Sequence, residues 1–322
     1  MITMQVDESP DERWNDRLLT TNTGIIYHTK EYARFIENKG WKPKFLKFLD
    51  QDEKIVGQII ISTYSRFDKK KGISKVLKSL PGMKKLMYRW VFGPVIFEEE
   101  QTKEIHNTLE KFLTSEKCHV YGSEHPLNPN VFSTLGTSFN LENWATFVID
   151  LRKGIESIVQ RFDKHSARKN IERSEKRGVT ISEINEENLF QYYELLKETK
   201  SKVNWNIDFD EISFLWKQLK PVGFTGFLAK HEEIPVGGIL ISHFNGYINE
   251  WGVGRSEIDY TKKLYAQDLL KWHIIKWGIE NKCSFYDLTG TNPNPSSKKE
   301  SGILRYKKKW GGKYIQYRTC KI

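Results

Sequence analysis

Near its C-terminus the chain gathers carboxylate, phenol and ammonium side chains around turn residues, in the stretch Phe285-Tyr-Asp-Leu-Thr-Gly-Thr-Asn-Pro-Asn-Pro-Ser-Ser-Lys-Lys-Glu-Ser-Gly-Ile-Leu-Arg-Tyr-Lys-Lys-Lys-Trp-Gly-Gly-Lys313. The pattern predicts a strand ending in Asp287, a turn-rich loop, a short basic helix and a Gly-Gly step into a last strand. When an amine attacks an ester or thioester carbonyl, charge grows on the carbonyl oxygen, and a cation aimed there lowers the barrier. Lys307, on a short helix beside Gly311-Gly312, can supply that cation, because burial lets its charge act in a low dielectric. Read as an ordinary surface feature, Lys307 to Lys309 is instead a solvated basic turn. Tyr306 can hydrogen-bond or stack at the same site, or serve the core. Asp287 can orient the amine or the loop, or simply cap the turn at Thr289-Gly290.

Other common chemistries lack their motifs. The sequence holds no GxSxG elbow, no GxxxxGK[ST] phosphate loop, no HExxH and no GxGxxG at a strand-to-helix turn. Cys118 and His119 are adjacent on a predicted strand, so their side chains point to opposite faces and cannot form a dyad. The eight histidines are scattered, and His243 and His273 read as structural or surface residues. Neither nucleophilic nor metal catalysis is indicated, and no cofactor is expected.

The elements that must position the C-terminal stretch form a repeat. Lys44 to Ser62 is two apolar strands around a polar turn, and Thr225 to Ser242 matches it. Val56, Gly57, Ile59, Ile61 and Ser62 recur as Val236, Gly237, Ile239, Ile241 and Ser242, each 180 residues on. Each copy continues as strand, helix, strand: Leu86 to Phe97, Thr102 to Ser115 and His119 to Glu124, then Tyr247 to Val253, Tyr260 to Glu280 and Ser284 to Leu288. Two short helices precede the first copy, the second over Lys30 to Asn38. The expected fold is α/β (α+β): two copies of one unit, each a mixed, mostly antiparallel sheet flanked by helices, spanning 1–145 and 146–322.

The charge is clustered. Of a net +10 in 322 residues, Arg66 to Arg89 carries +8, Arg161 to Arg177 +4 and Lys298 to Lys313 +6, which leaves −8 for the rest. Such clustering suits a large anionic partner such as tRNA, a nucleotide diphosphate or an anionic membrane face, although each segment taken alone is equally a solvated surface. No run approaches the length of a membrane span, and Met1 to Pro10 is acidic, unlike a leader. Three widely spaced cysteines suggest no disulfide framework or zinc site and fit a reducing, cytoplasmic compartment.

Gly302, Ile303, Arg305, Tyr306, Lys307, Trp310, Gly311 and Gly312 match Gly-[IL]-x-Arg-[FY]-Lys-x-x-[FW]-Gly-Gly, and the chain here resembles the FemABX family of peptidoglycan bridge-forming aminoacyl transferases. Trp144 to Leu151 with the basic run Lys164 to Thr180 is similar to the family's strand and following helix. Tyr27 to Ile36, Gly40-Trp41 and Gly93-Pro94 resemble its opening helix and its Gly-Pro. The resemblance implies two tandem acetyltransferase-like (GNAT) domains of the type without a helical arm. It also implies a monomeric enzyme that moves an amino acid from aminoacyl-tRNA to an amine of a cell-wall precursor, with Lys307 as the oxyanion cation and Tyr306 beside it. Arg305 and Asp287 would bind substrate, and Thr199 and Lys202 match loosely the residues that hold the acceptor's phosphates. Trp251 falls where an aromatic lines the family's cleft. The family's grip lysine in the opening helix is replaced around Arg34 and Phe35, and the coenzyme-A loop [QR]-x-x-G-x-[GA] is missing between Val253 and Leu264.

Two other functions stay open on the residues alone. One is an acyl-CoA N-acyltransferase acting on a small amine or amino sugar. The other is a non-catalytic module whose basic segments bind RNA or anionic membrane, the latter through Arg66 to Arg89.

Overall fold

The computed structural model describes residues 1–65, 86–116, 118–129, 132, 139–201 and 208–321. Lys202, and the basic segment Arg66 to Arg89 up to residue 85, lie outside the described residues. The chain divides into two compact units, Met1–Ala145 with Gln316–Ile322, and Thr146–Ile315. The last seven residues thus go with the first unit, whereas the sequence placed them in the second.

In the first unit, strands β1 (Thr3–Asp7), β2 (Lys42–Leu49), β3 (Ile55–Ser65) and β4 (Leu86–Arg89) lie side by side and antiparallel. The short β5 (Val95–Ile96) pairs with β3, and β6 (His119–Ser123) lies parallel to β4. Helices α1 (Trp14–Leu18), α2 (Lys30–Asn38) and α3 (Thr102–Ser115) complete it. A parallel pair needs a crossover, and α3 is that crossover, burying Ile105, Leu109 and Leu113 on one face.

The second unit repeats this order. Strands β8 (Val179–Glu183), β9 (Phe224–His231), β10 (Ile234–Ser242) and β11 (Tyr247–Arg255) are antiparallel neighbours, and β12 (Phe285–Asp287) is parallel to β11. Strand β7 (Asn140–Asp150) pairs antiparallel with β12. The helices are α4 (Gly154–Gln160), α5 (Lys169–Lys176), α6 (Leu189–Ser201), α7 (Phe209–Gly223), α8 (Glu257–Thr261), α9 (Ala266–Glu280) and α10 (Lys298–Lys308). Crossover helix α9 buries Ala266, Leu270 and Ile274 against Ile239, Ile241 and Ile248 of the sheet. Each buried Leu or Ile of this set contributes about 1.5–3 kcal/mol.

The glycine shared by the two hairpins has a packing reason. A Cβ on Gly57 would lie 3.1 Å from Ile105 of α3, and one on Gly237 would lie 2.9 Å from Gln267 and 3.3 Å from Ala266 of α9. In both copies the missing side chain lets the crossover helix sit down on the sheet.

Three elements differ from the sequence reading. The strand Thr3–Asp7 was not expected, and the strand read over Leu86 to Phe97 is two strands. The helix expected over Tyr260 to Glu280 is α8 and α9, separated where Lys263 and Tyr265 take positive φ of 52° and 58°. Among the described residues no helix is long and apolar enough to cross a membrane, no group of His, Cys, Asp and Glu could hold a metal ion, and all three cysteines are free and buried.

Candidate active site

Asp287 ends β12 with Asn249 of β11 opposite it on one side and Val148 of β7 on the other. Its carboxylate is fully buried. Oδ1 accepts from the Thr146 hydroxyl and, at 2.8 Å, from the Thr289 amide; Oδ2 accepts from the Tyr247 hydroxyl at 2.7 Å and Asn249 Nδ2 at 3.4 Å. Burial raises its pKa, with these hydrogen bonds working in the opposite direction. Both oxygens are therefore committed within the protein.

The next residues are held under strain. Thr289 has φ +65°, left-handed backbone that a β-branched residue avoids at a cost of about 1–3 kcal/mol. It is pinned by the hydrogen bond its amide donates to Asp287 and by its carbonyl, which shares the single Thr146 hydroxyl proton with Asp287, at 2.8 Å. A third restraint comes from Lys307, whose Nζ donates to the Thr289 carbonyl (2.9 Å), the Thr289 hydroxyl (3.2 Å) and the Gly290 carbonyl (2.7 Å). An ammonium has three protons, so all three are in use. Burial lowers the Lys307 pKa to about 8; nearby Glu250 and Asp287 oppose the shift and Lys271 adds to it.

Helix α10 aims Lys307 from a fixed start. The Ser297 hydroxyl accepts from the Glu300 amide at 3.2 Å, and the Glu300 carboxylate accepts from the Ser296 amide at 2.7 Å. Ser297 is thus the N-cap of α10, and Glu300 turns back to the residue just before it. At the other end, Gly311 has φ +68°, and a Cβ there would stand 2.4 Å from the Arg161 carbonyl. One on Gly312 would be 3.1 Å from the Val148 carbonyl. The Gly-Gly step thus lets the chain leave α10 against two backbone segments.

Behind Lys307 lie two buried ion pairs. Lys271 of α9 meets Glu250 of β11 at 2.5 Å, with side chains 4% and 7% exposed, and the Tyr286 hydroxyl donates to the same Glu250 oxygen at 2.6 Å. Lys309 pairs with Asp268, also nearly buried. The Tyr306 ring sits between these pairs, with Lys309 Nζ 4.2 Å and Lys271 Nζ 5.9 Å from its centroid. Its hydroxyl donates to the Gln267 carbonyl at 3.3 Å. Burial and the neighbouring acids push the phenol pKa well above its usual value, so Tyr306 stays neutral. Tyr306 and Lys309 also line a groove of about 680 Å³ that carries Arg161, His165, Arg305 and Lys308 against Asp163. Its floor is tied by the Asp163 amide donating to the Lys309 carbonyl at 2.8 Å.

No family model matches the chain, and no curated protein matches it by sequence. Solved structures match over nearly its whole length. FemX aligns with 98% of this chain and 96% of its own, at a TM-score of 0.71 and 12% identity. L-PGS from Bacillus licheniformis covers 98% and 93%, at 0.59 and 13%. A tandem GNAT protein from the clavulanic acid biosynthesis pathway covers 100% and 97%, at 0.52 and 9%. The fold is that of the Fem-like tandem GNAT proteins.

On this Fem-like fold, Asp287, Tyr306 and Lys307 are brought into one cluster, and Arg305 is exposed in the basic groove that Tyr306 also lines. Asp287 holds the loop and caps its turn, with no oxygen left over for an amine. The Thr199 hydroxyl is used within the protein: its one proton is shared between the Leu195 and Arg255 carbonyls, and it accepts from the Arg255 amide at 2.7 Å, clipping α6 to the end of β11. Trp251 is the extra residue of a β-bulge, between Glu250 opposite Ile241 and Gly252 opposite Leu240, and its ring packs edge-on to Phe224. The sequence reading missed Thr146, Glu250, Lys271 and Asp268. A charged residue flanked by large apolar ones, as Lys271 is between Leu270 and Trp272, was the available signal.

Proposed function

We propose that the chain is an aminoacyl transferase that moves an amino acid from aminoacyl-tRNA to an amine of a cell-wall precursor. The observation that carries this reading is Lys307: a buried, mostly protonated ammonium beside a strained loop, on a Fem-like fold. The acceptor nitrogen attacks the ester carbonyl carbon, the C–N bond forms, and the carbonyl oxygen takes negative charge. Collapse breaks the ester C–O bond, and the tRNA 3′ oxygen leaves with a proton that the amine has given up. Lys307 stabilises the oxyanion by exchanging its longest bond, 3.2 Å to the Thr289 hydroxyl, for the incoming oxygen.

Two features support tRNA over acyl-CoA as donor. The N-terminus of a helix is the ordinary seat for a ligand's phosphates, but at α9 the Ala266 amide already donates to the buried carboxylate of Asp259 at 2.9 Å. The basic groove beside α10 offers Arg161, Arg305 and Lys308, which carry no ion pair among the described residues, to a longer phosphodiester chain.

The test is transfer from labelled aminoacyl-tRNA to UDP- or lipid-linked muropeptides, with acetyl-CoA as the competing donor. Amide formation from tRNA is expected, and turnover from acetyl-CoA alone overturns the donor assignment. Lys307→Ala should lower kcat by about 100-fold or more with the circular dichroism unchanged. A wild-type rate in that variant removes Lys307 from the chemistry.

A further inference from the structure

The attacking amine must lose a proton, and Lys307, already charged, cannot take it. A carboxylate with an open oxygen near Lys307 is required, and the buried acids of this cluster differ in that respect. Asp287 has donors on both oxygens. Asp268 has Lys309 on Oδ1 and Asn170 at 3.5 Å on Oδ2. Asp259 has the Ala266 amide on Oδ1 and Arg255 on Oδ2.

Glu250 is different. Lys271 and Tyr286 both bond its Oε1, at 2.5 and 2.6 Å, and no described residue donates to Oε2, which is not among the polar atoms sealed from solvent without a partner. Two donors on one oxygen fix the carboxylate plane and leave the other oxygen available, as a general base needs. The bulge at Trp251 breaks the strand's regular alternation beside Glu250.

We propose that Glu250 is the proton acceptor of the transfer reaction, an inference that rests on the acyl-transfer reading above. As the amine nitrogen bonds the carbonyl carbon, its proton passes to Oε2 of Glu250. As the C–O bond breaks, Glu250 returns that proton to the departing oxygen, so the carboxylate is regenerated and no other reactant is consumed. Lys271 and Tyr286 are then positioning residues, acting through Glu250. The titratable groups around Glu250 are Lys271 from α9, Tyr286 from β12, and Tyr306 and Lys307 from α10.

The experiment is steady-state transfer with wild type, Glu250→Gln, Glu250→Asp and Lys271→Met, each checked for its melting temperature. Glu250→Gln keeps the size and an acceptor oxygen for Lys271 and Tyr286. It should lose about 100-fold in kcat, with KM for the acceptor within about threefold. Lys271→Met should lower kcat by a smaller factor, again with KM within about threefold, because Glu250 stays in place but loses a donor that fixes its carboxylate plane. If Glu250→Gln does not fold, Glu250→Asp, which retains the charge, must be slower than wild type with the acceptor KM kept. A wild-type kcat in Glu250→Gln, or a loss that lies in the acceptor KM with kcat kept, overturns the proposal alone. No transfer by the wild type from either donor overturns the acyl-transfer reading, and Glu250 as proton acceptor falls with it.

Discussion

Lys307 faces opposite demands from folding and from catalysis. Its pKa is about 8 in the folded chain because burial penalises the ammonium, against an ordinary value of 10.5. Between those values the unfolded chain binds more protons at this residue than the folded chain does, so the contribution of Lys307 to stability rises with pH across that window. The difference amounts to as much as about 3 kcal/mol. The oxyanion role needs the protonated form, so the rate should fall as pH rises through about 8. Comparing wild type with Lys307→Met separates the two effects. The stability of the wild type relative to the variant should rise from pH 8 to 10.5 in urea titrations, while wild-type kcat declines over the same start of the range. A stability difference flat in pH would mean that Lys307 is solvated, as in the surface reading of its sequence.

The strand and helix ends decide how closely these groups meet. Gly311→Ala should cost well over 1 kcal/mol, because it forces a side chain onto left-handed backbone and drives a Cβ into the Arg161 carbonyl. A lowered melting temperature with a disproportionate loss of kcat is expected, since α10 carries Lys307; a variant that melts like wild type would mean the turn has another arrangement. The hairpins and the crossover helices were legible in the sequence, because alternation and helical periodicity are local signals. The split of α8 from α9 was not, since Lys263 and Tyr265 are unusual residues for positive φ. The pairing of Glu250 with Lys271 and Tyr286 was also hidden, because it joins two strands and a helix only after they pack. Thr199 came into the sequence reading only through a loose match to the family, and its backbone partners at Leu195 and Arg255 have no sequence signature.

At the scale of the molecule, the chain leaves its first unit at Ala145 and supplies that unit again with Gln316–Ile322. The returning segment answers a specific need. Glu124 is fully buried, and its carboxylate accepts from the Phe132 amide and, at 2.6 Å, from the Arg318 amide, while its own amide donates to the Arg318 carbonyl. Cys320 and Tyr317 are buried, and Thr319 to Lys321 pair with Tyr121 to Ser123. Deleting 316–322 therefore exposes the edge of β6 and leaves a buried carboxylate short of a donor, which by itself costs about 1–3 kcal/mol. Hydrogen exchange should show protection lost in β4 and β6 and retained in β9 and β10, whose partners all lie within Thr146–Ile315. Glu124→Gln should destabilise the full chain more than the shortened one, because in the latter the charge it removes is already poorly solvated. Equal loss of protection in both units, or equal costs of Glu124→Gln in the two chains, would show that the returning strand is not what holds the first unit together.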